Sequence, residues 1–176
     1  MKETLTLIEK TAVLKSAPML SAVPTEALAE IASRAHEQHY DAGDPVHREG
    51  EPNRGAFMVL DGAVELRRGR ALVRMITTGQ AFGELFLSEG EPHRFSAIAS
   101  THTHLLNITA EDTFEAMFDH PEFAVGMVRS IARRNLELVE RLLELETLLS
   151  RFHAALREAG IEPPGVREAE LAPSVD

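Results

Sequence analysis

The residues best suited to chemistry lie in one short stretch, Phe82–Leu87, which a short acidic loop separates from Pro92–Ala97. Gly83 frees backbone N–H groups, and one helical turn after it would point further N–H groups and the positive end of its dipole at a phosphate. Arg94 offers a forked guanidinium to phosphate oxygens, while Glu84, a hydrogen-bond acceptor when ionised, suits a ribose hydroxyl. The spacing predicts a site for a compact ligand that is both anionic and hydroxylated, as a sugar phosphate is.

The part of the chain that must position these residues has the texture of a β-barrel. From Tyr40 to Ile108, short apolar runs are separated by glycine, proline, aspartate and asparagine. Arg68 and Gly69 form a predicted hairpin turn. The predicted strands are Ala56–Leu60, Ala63–Leu66, Leu72–Ile76, Phe95–Ala99 and Thr103–Ile108. Many short strands at such spacing favour a barrel or jelly roll.

Helices are predicted on both sides of this region. Apolar residues at helical spacing predict one helix within residues 4–15 and a second from about Pro24 to Ala35. After the strands, Thr109 is a predicted N-cap with Asp112 three residues later, and Pro121 marks the start of the next helix.

That last helix carries an unbroken heptad seam, with Asn135 as its only polar position. The predicted dimer interface consists of Val128, Ile131, Asn135, Leu138, Leu142, Leu145, Leu149 and Phe152. A single asparagine at an a position favours a parallel two-stranded pairing in fixed register. A helix packed on its own barrel also needs an apolar stripe, but about 30 helical residues extend roughly 45 Å, which outruns the side of a small barrel. We therefore expect a homodimer.

The stretch around Gly83, Glu84 and Arg94 resembles the phosphate-binding cassette of cyclic-nucleotide-binding domains, the family of the bacterial catabolite activator protein and the regulatory subunits of cAMP-dependent kinase. The resemblance implies an α+β (mainly β) fold. Its expected parts are N-terminal helices (1–37), a jelly-roll β-barrel that binds the nucleotide (38–120), a long coiled-coil dimerisation helix (121–159) and a flexible acidic tail (160–176).

The same resemblance assigns roles to individual residues. Glu84 would bind the ribose hydroxyl and Arg94 the cyclic phosphate, with backbone groups from Gly83 and its neighbours. Strand residues and Arg134 would line the sugar and base side. The expected ligand-binding set is Phe82, Gly83, Glu84, Leu85, Arg94, Phe95, Ser96, Leu66, Val73, Arg74, Arg134, Leu138 and Val139.

Three of these positions depart from the family pattern. Relatives usually carry a small residue where this chain has Phe95, and the catabolite activator family presents hydroxyls to adenine where Leu138 and Val139 stand. These side chains cannot hydrogen-bond a base, although the two aliphatic ones can pack on its face. We therefore expect binding with poor discrimination between purines.

The leading hypothesis is a stand-alone dimeric sensor of cAMP or cGMP that regulates an effector protein. The alternative is a dimeric adaptor with a degenerate, ligand-free pocket, and a haem-based gas sensor is less favoured. The histidine pairs His36/His39 and His102/His104 lack a third ligand at metal spacing, so no metal is expected. Too few residues follow the coiled coil for the helix-turn-helix of the related transcription factors. With a net charge of −10 as well, no DNA binding is expected.

Composition narrows the class of protein further. The chain has no cysteine, which favours the cytoplasm. No stretch is apolar enough to span a bilayer or act as a signal peptide, so no membrane association is expected. No nucleophile triad, paired acids or metal triad is evident, so we expect that the protein is not an enzyme.

Overall fold

The structure, a computed structural model, describes residues 4–83 and 91–160. It consists of two units, residues 1–134 and residues 135–176. The predicted helical turn at 84–87 and the predicted tail beyond Gly160 lie outside the described residues.

The first unit begins with two short helices. Helix α1 (Leu7–Ser16) starts with a capping box, in which the Thr6 side chain accepts from the Glu9 N–H and the Glu9 carboxylate accepts from the Thr6 N–H. A 3-10 turn, Pro18–Leu20, leads to α2 (Thr25–Arg34). The predicted apolar face of α1 is only partly buried, since Ile8 is 82% exposed.

Eight strands are described between these helices and the C-terminal ones. They are β1 (His36–Tyr40), β2 (Pro45–His47), β3 (Gly55–Asp61), β4 (Ala63–Arg68), β5 (Ala71–Thr77), β6 (Ala81–Phe82), β7 (Ser96–Ala99) and β8 (Thr103–Thr109). They form two antiparallel four-stranded sheets, in the orders β1-β8-β3-β6 and β2-β7-β4-β5. The predicted turn at Gly69 joins β4 to β5. The expected jelly roll is confirmed.

Apolar side chains of both sheets meet in one core. Val59, Phe82 and Leu105 from the first sheet pack with residues of the second, including Val64 and Ile76. Each is nearly inaccessible to solvent, and this burial stabilises the two sheets face to face. The core fixes Phe82, and hence the start of the predicted cassette.

The other face of the first sheet is covered by helices. Met58 and Leu106 belong to a second core that includes Leu28 of α2 and Phe123. Strand β8 therefore buries residues on both faces, with Leu105 in the core between the sheets and Leu106 in the core under the helices.

Three strands were not predicted. Strand β1 reads His-Glu-Gln-His-Tyr, which has no alternation of apolar and polar residues to predict a strand. Strands β2 and β6 have three and two residues, too few for a periodic signal.

Two helices follow β8. Helix α3 (Ala110–Asp119) is capped by Thr109, whose side chain accepts from the Asp112 N–H as predicted. Helix α4 (Pro121–Glu158) starts at the predicted proline. A Cβ added to Gly126 would lie 2.6 Å from the Val23 Cα, so α4 packs directly on the backbone before α2.

The second unit begins at Asn135 and contains the remainder of α4. Residues 135–152 are all exposed, including the members of the predicted heptad seam from Asn135 to Phe152. A further set of exposed apolar residues lies outside that seam, and we call Leu136, Val139 and Leu143 the outer stripe. No helix in the described ranges combines the length and apolarity that crossing a membrane requires.

Candidate functional site

A cavity of about 130 Å³ in the first unit brings together six of the predicted ligand-binding residues. They are Leu66, Arg74, Phe82, Gly83, Arg94 and Phe95. The other described lining residues are His47, Asn53, Ile76, Ala81 and His93. Residues from β4, β5 and β6 and from the segment before β7 thus surround one space.

The backbone conformation at position 83 requires a glycine. Its φ is +86°, a region that L residues rarely adopt. A Cβ there would also lie 2.8 Å from the Gly55 carbonyl oxygen. Asn53 fixes this approach, because its Nδ2 donates to the Gly83 carbonyl at 3.0 Å and its Oδ1 accepts from the Gly55 N–H at 3.2 Å. The role of Asn53 was not expected from the sequence.

The charged side chains on the described part of the cavity wall are arginines. Arg74 and Arg94 line it, and none of its described lining residues is an aspartate or glutamate. Arg94 is 58% exposed and forms an ion pair with Glu91 at 3.4 Å, a contact that contributes little on a surface. The described part of the wall therefore carries positive charge on a chain whose net charge is −10.

Phe95 contributes to the wall without closing the cavity. Its ring lies 4.9 Å from the Arg68 guanidinium carbon in a cation–π contact. The next residue, Ser96, has its hydroxyl oxygen 3.0 Å from the Glu49 N–H, from which it accepts. Ser96 and Val73 are not among the cavity's lining residues.

Two histidines that the sequence analysis overlooked form part of the wall. The rings of His47 and His93 stack with centroids 3.5 Å apart and an interplanar angle of 8°. Burial, reinforced by the charge of His93, lowers the pKa of His47 to about 4. Burial also lowers the pKa of His93. The sequence signal available was the position of His93 directly before Arg94.

A larger and mostly apolar cavity of about 220 Å³ lies between α1, the 3-10 turn, β3 and the beginning of α4. Arg134 lines this space and not the smaller one, while Arg74 borders both. The expected contact of Arg134 with a ligand in the smaller cavity therefore stays a prediction.

The remaining expected residues cannot be placed against either cavity. Glu84 and Leu85 lie outside the described residues. Leu138 and Val139 are exposed on α4 in the second unit, and their contact with a ligand stays a prediction. Within residues 4–83 and 91–160, no three or more histidine, aspartate or glutamate side chains are grouped to hold a metal ion.

Comparison with known proteins identifies the family. Residues 37–120 match the model of the cyclic nucleotide-binding domain. The CRP-like cAMP-activated global transcriptional regulator of Mycobacterium tuberculosis (strain CDC 1551 / Oshkosh) is 25% identical over 127 residues, which are 69% of this chain and 57% of the regulator. The cAMP-dependent protein kinase regulatory subunit of Eremothecium gossypii is 28% identical over 89 residues, which are 50% of this chain and 19% of the subunit.

Solved structures agree with these relatives. The N-terminal domain of a transcriptional regulator from Streptomyces coelicolor A3(2) superimposes with a TM-score of 0.65 at 27% identity, covering 72% of this chain and 94% of that domain. The chain thus spans little more than half of the mycobacterial regulator but nearly all of the Streptomyces domain. With its two-sheet fold and its cassette glycine in place, residues 37–120 of this chain belong to the cyclic nucleotide-binding domain family.

Proposed function

We propose that this chain is a regulatory module that binds a cyclic nucleotide, cAMP or cGMP, in the smaller cavity. The observation that carries the proposal is the charge of that cavity. Arg74 and Arg94 line it beside Gly83, and its described wall has no carboxylate, although the chain as a whole is acidic. Such a wall attracts an anion locally against the repulsion of the whole protein.

Arg94 is the proposed partner of the cyclic phosphate. Its pair with Glu91 is exposed, so exchanging that carboxylate for a phosphate costs little. The phosphate offers two oxygens to the planar guanidinium, a geometry that arginine matches well. By the family pattern, Glu84 binds the ribose hydroxyl and Leu85 supplies a backbone group.

The base is proposed to contact apolar side chains. Leu66 lines the cavity, and the family register places Leu138 and Val139 at the base. None of the three can donate or accept a hydrogen bond. We therefore expect cAMP and cGMP to bind with similar affinity.

The proposed output is a contact with an effector protein. The relatives are named as a transcriptional regulator and a kinase regulatory subunit, which supports a regulatory role over a catalytic one. The net charge of −10 disfavours nucleic acid as the partner. The exposed heptad seam of α4 supports a parallel homodimer, because so many exposed apolar side chains are otherwise costly in water.

A dimeric adaptor without a ligand is the second candidate, and Phe95 on the cavity wall favours it. Calorimetric titration of the purified chain with cAMP, cGMP and 5′-AMP separates the two. The sensor predicts saturable binding of both cyclic nucleotides and weaker binding of 5′-AMP. Absence of heat for every nucleotide at millimolar ligand contradicts the sensor and favours the adaptor.

A further inference from the structure

The stacked histidines are the least explained feature of the cavity. His47 is only 9% exposed and lines the space. Neither of its buried ring nitrogens forms a hydrogen bond of standard geometry, and the Phe95 backbone makes only a weaker polar contact with the ring. Leaving a buried polar group unsatisfied costs about 1–3 kcal/mol, so a buried imidazole on a ligand cavity needs a reason.

The surrounding structure holds this pair in one geometry. His47 ends β2, and its ring lies 6.1 Å from the Phe57 ring and 5.9 Å from the Phe82 ring. The His93 N–H donates to the Glu51 carbonyl and the His93 carbonyl accepts from the Gly50 N–H, both at 2.9 Å. The stack is therefore built into the wall by aromatic packing and backbone hydrogen bonds.

The charges around His47 explain why the empty cavity keeps it neutral. The charge of His93 disfavours a positive charge on His47, and Arg74 and Arg94 line the same cavity. Glu51 and the polar contact with the Phe95 backbone act in the opposite sense, and Glu51 also pairs with Arg48 at 3.8 Å. The strands β3 and β6 present the aromatic rings of Phe57 and Phe82 to His47.

A bound anion reverses this balance. Its negative charge favours the cationic imidazole, and its oxygens accept from a ring N–H that forms no hydrogen bond of standard geometry within the protein. We propose that His47 is a proton-accepting contact for the phosphate of the bound ligand, so that the cavity takes up the anion together with one proton from solvent. This inference rests on the proposed function and adds pH as a second input to the same site.

The sign of the effect follows from linkage. Where the free site is deprotonated and the liganded site is protonated, binding consumes a proton, and affinity falls by at most about tenfold for each unit rise in pH. A cyclic phosphodiester keeps one negative charge through neutral pH, so the ligand itself adds no such dependence. We expect cAMP affinity to fall about tenfold or more between about pH 6 and pH 8.

Calorimetry in pairs of buffers with different ionisation enthalpies measures the proton count directly. We expect the wild type to take up close to one proton per bound cAMP near pH 6. His47→Gln keeps an N–H donor but cannot titrate, so it should lose the uptake and bind about tenfold more weakly than wild type near pH 6. His102→Gln, outside the cavity, is the matched control and should behave as wild type.

Binding without proton uptake, or uptake that persists in His47→Gln, overturns this inference and leaves the proposed function intact. Absence of cAMP binding at every pH overturns both. If His47→Gln does not fold, the NMR chemical shifts of the imidazole nitrogens in the wild type test the inference instead. His47 should change from neutral to cationic near pH 6 when cAMP is added, and a ring that stays neutral overturns the inference.

Discussion

Replacing Arg94 by alanine tests the proposed phosphate contact. The side chain is 58% exposed, and its described ion pair is with Glu91. Loss of that surface pair should change the free energy of unfolding by less than about 1 kcal/mol. Because the side chain is exposed, the effect of the substitution should appear in binding and not in folding.

The size of the binding effect follows from the contact that is lost. A hydrogen bond to a charged group contributes about 1.5–3 kcal/mol. Each 1.4 kcal/mol is a factor of ten in affinity, so Arg94→Ala should weaken cAMP binding by about 10- to 150-fold. Calorimetry at physiological salt measures this, with thermal unfolding as the check on folding.

Arg70→Ala is the matched control. Arg70 is exposed at the turn between β4 and β5 and does not line the cavity. The substitution Arg70→Ala removes the same charge as Arg94→Ala, so any effect of the protein's net charge on binding is the same in both variants. Arg70→Ala should bind within about threefold of wild type. If both variants bind alike, Arg94 does not contact the phosphate and the reasoning is refuted.

Further outcomes concern assembly and stability. The chain should sediment as a dimer at micromolar concentration, and Leu142→Asp with Leu145→Asp should give a monomer. Aspartates on the outer stripe should leave the dimer intact. If the outer-stripe variant is the monomer instead, the interface lies on the outer stripe and not on the heptad seam. Gly126→Ala should lower the free energy of unfolding by about 1–3 kcal/mol, because a Cβ at this position lies 2.6 Å from a backbone atom. The control Val125→Ala, at an exposed position, should lower it by about 1 kcal/mol or less. Equal losses of stability in thermal unfolding would contradict this prediction. Because the folded chain lowers the pKa of His47 to about 4, the free energy of unfolding should fall by up to about 3 kcal/mol as the pH is lowered from about 6.5 to 4. If His47→Gln shows the same fall in denaturant titrations over this range, the prediction is wrong.

The sequence predicts best where a local pattern decides the structure. The glycine-separated apolar runs predict β3, β4 and β5, and Pro121 predicts the start of α4, because turn and helix signals act within a few residues. The cassette glycine is predicted for a similar reason. Its positive φ and its close approach to the Gly55 carbonyl admit no side chain.

What the sequence does not predict depends on contacts between distant parts of the chain. His47 and His93 are 46 positions apart in the sequence and stack only because β2 and the segment before β7 lie side by side. Asn53 holds Gly83 from 30 positions away. The outer stripe was missed because the heptad pattern accounts for only one side of the apolar surface of α4.

The central claim is that the smaller cavity binds the cyclic nucleotide, and amide chemical-shift mapping with cAMP tests it most directly. At saturation the largest shifts should fall on Asn53, Gly83, Arg94 and Phe95. Residues of the larger cavity, such as Leu14, should move little. Largest shifts around Leu14, or no shifts at millimolar cAMP, would contradict the claim.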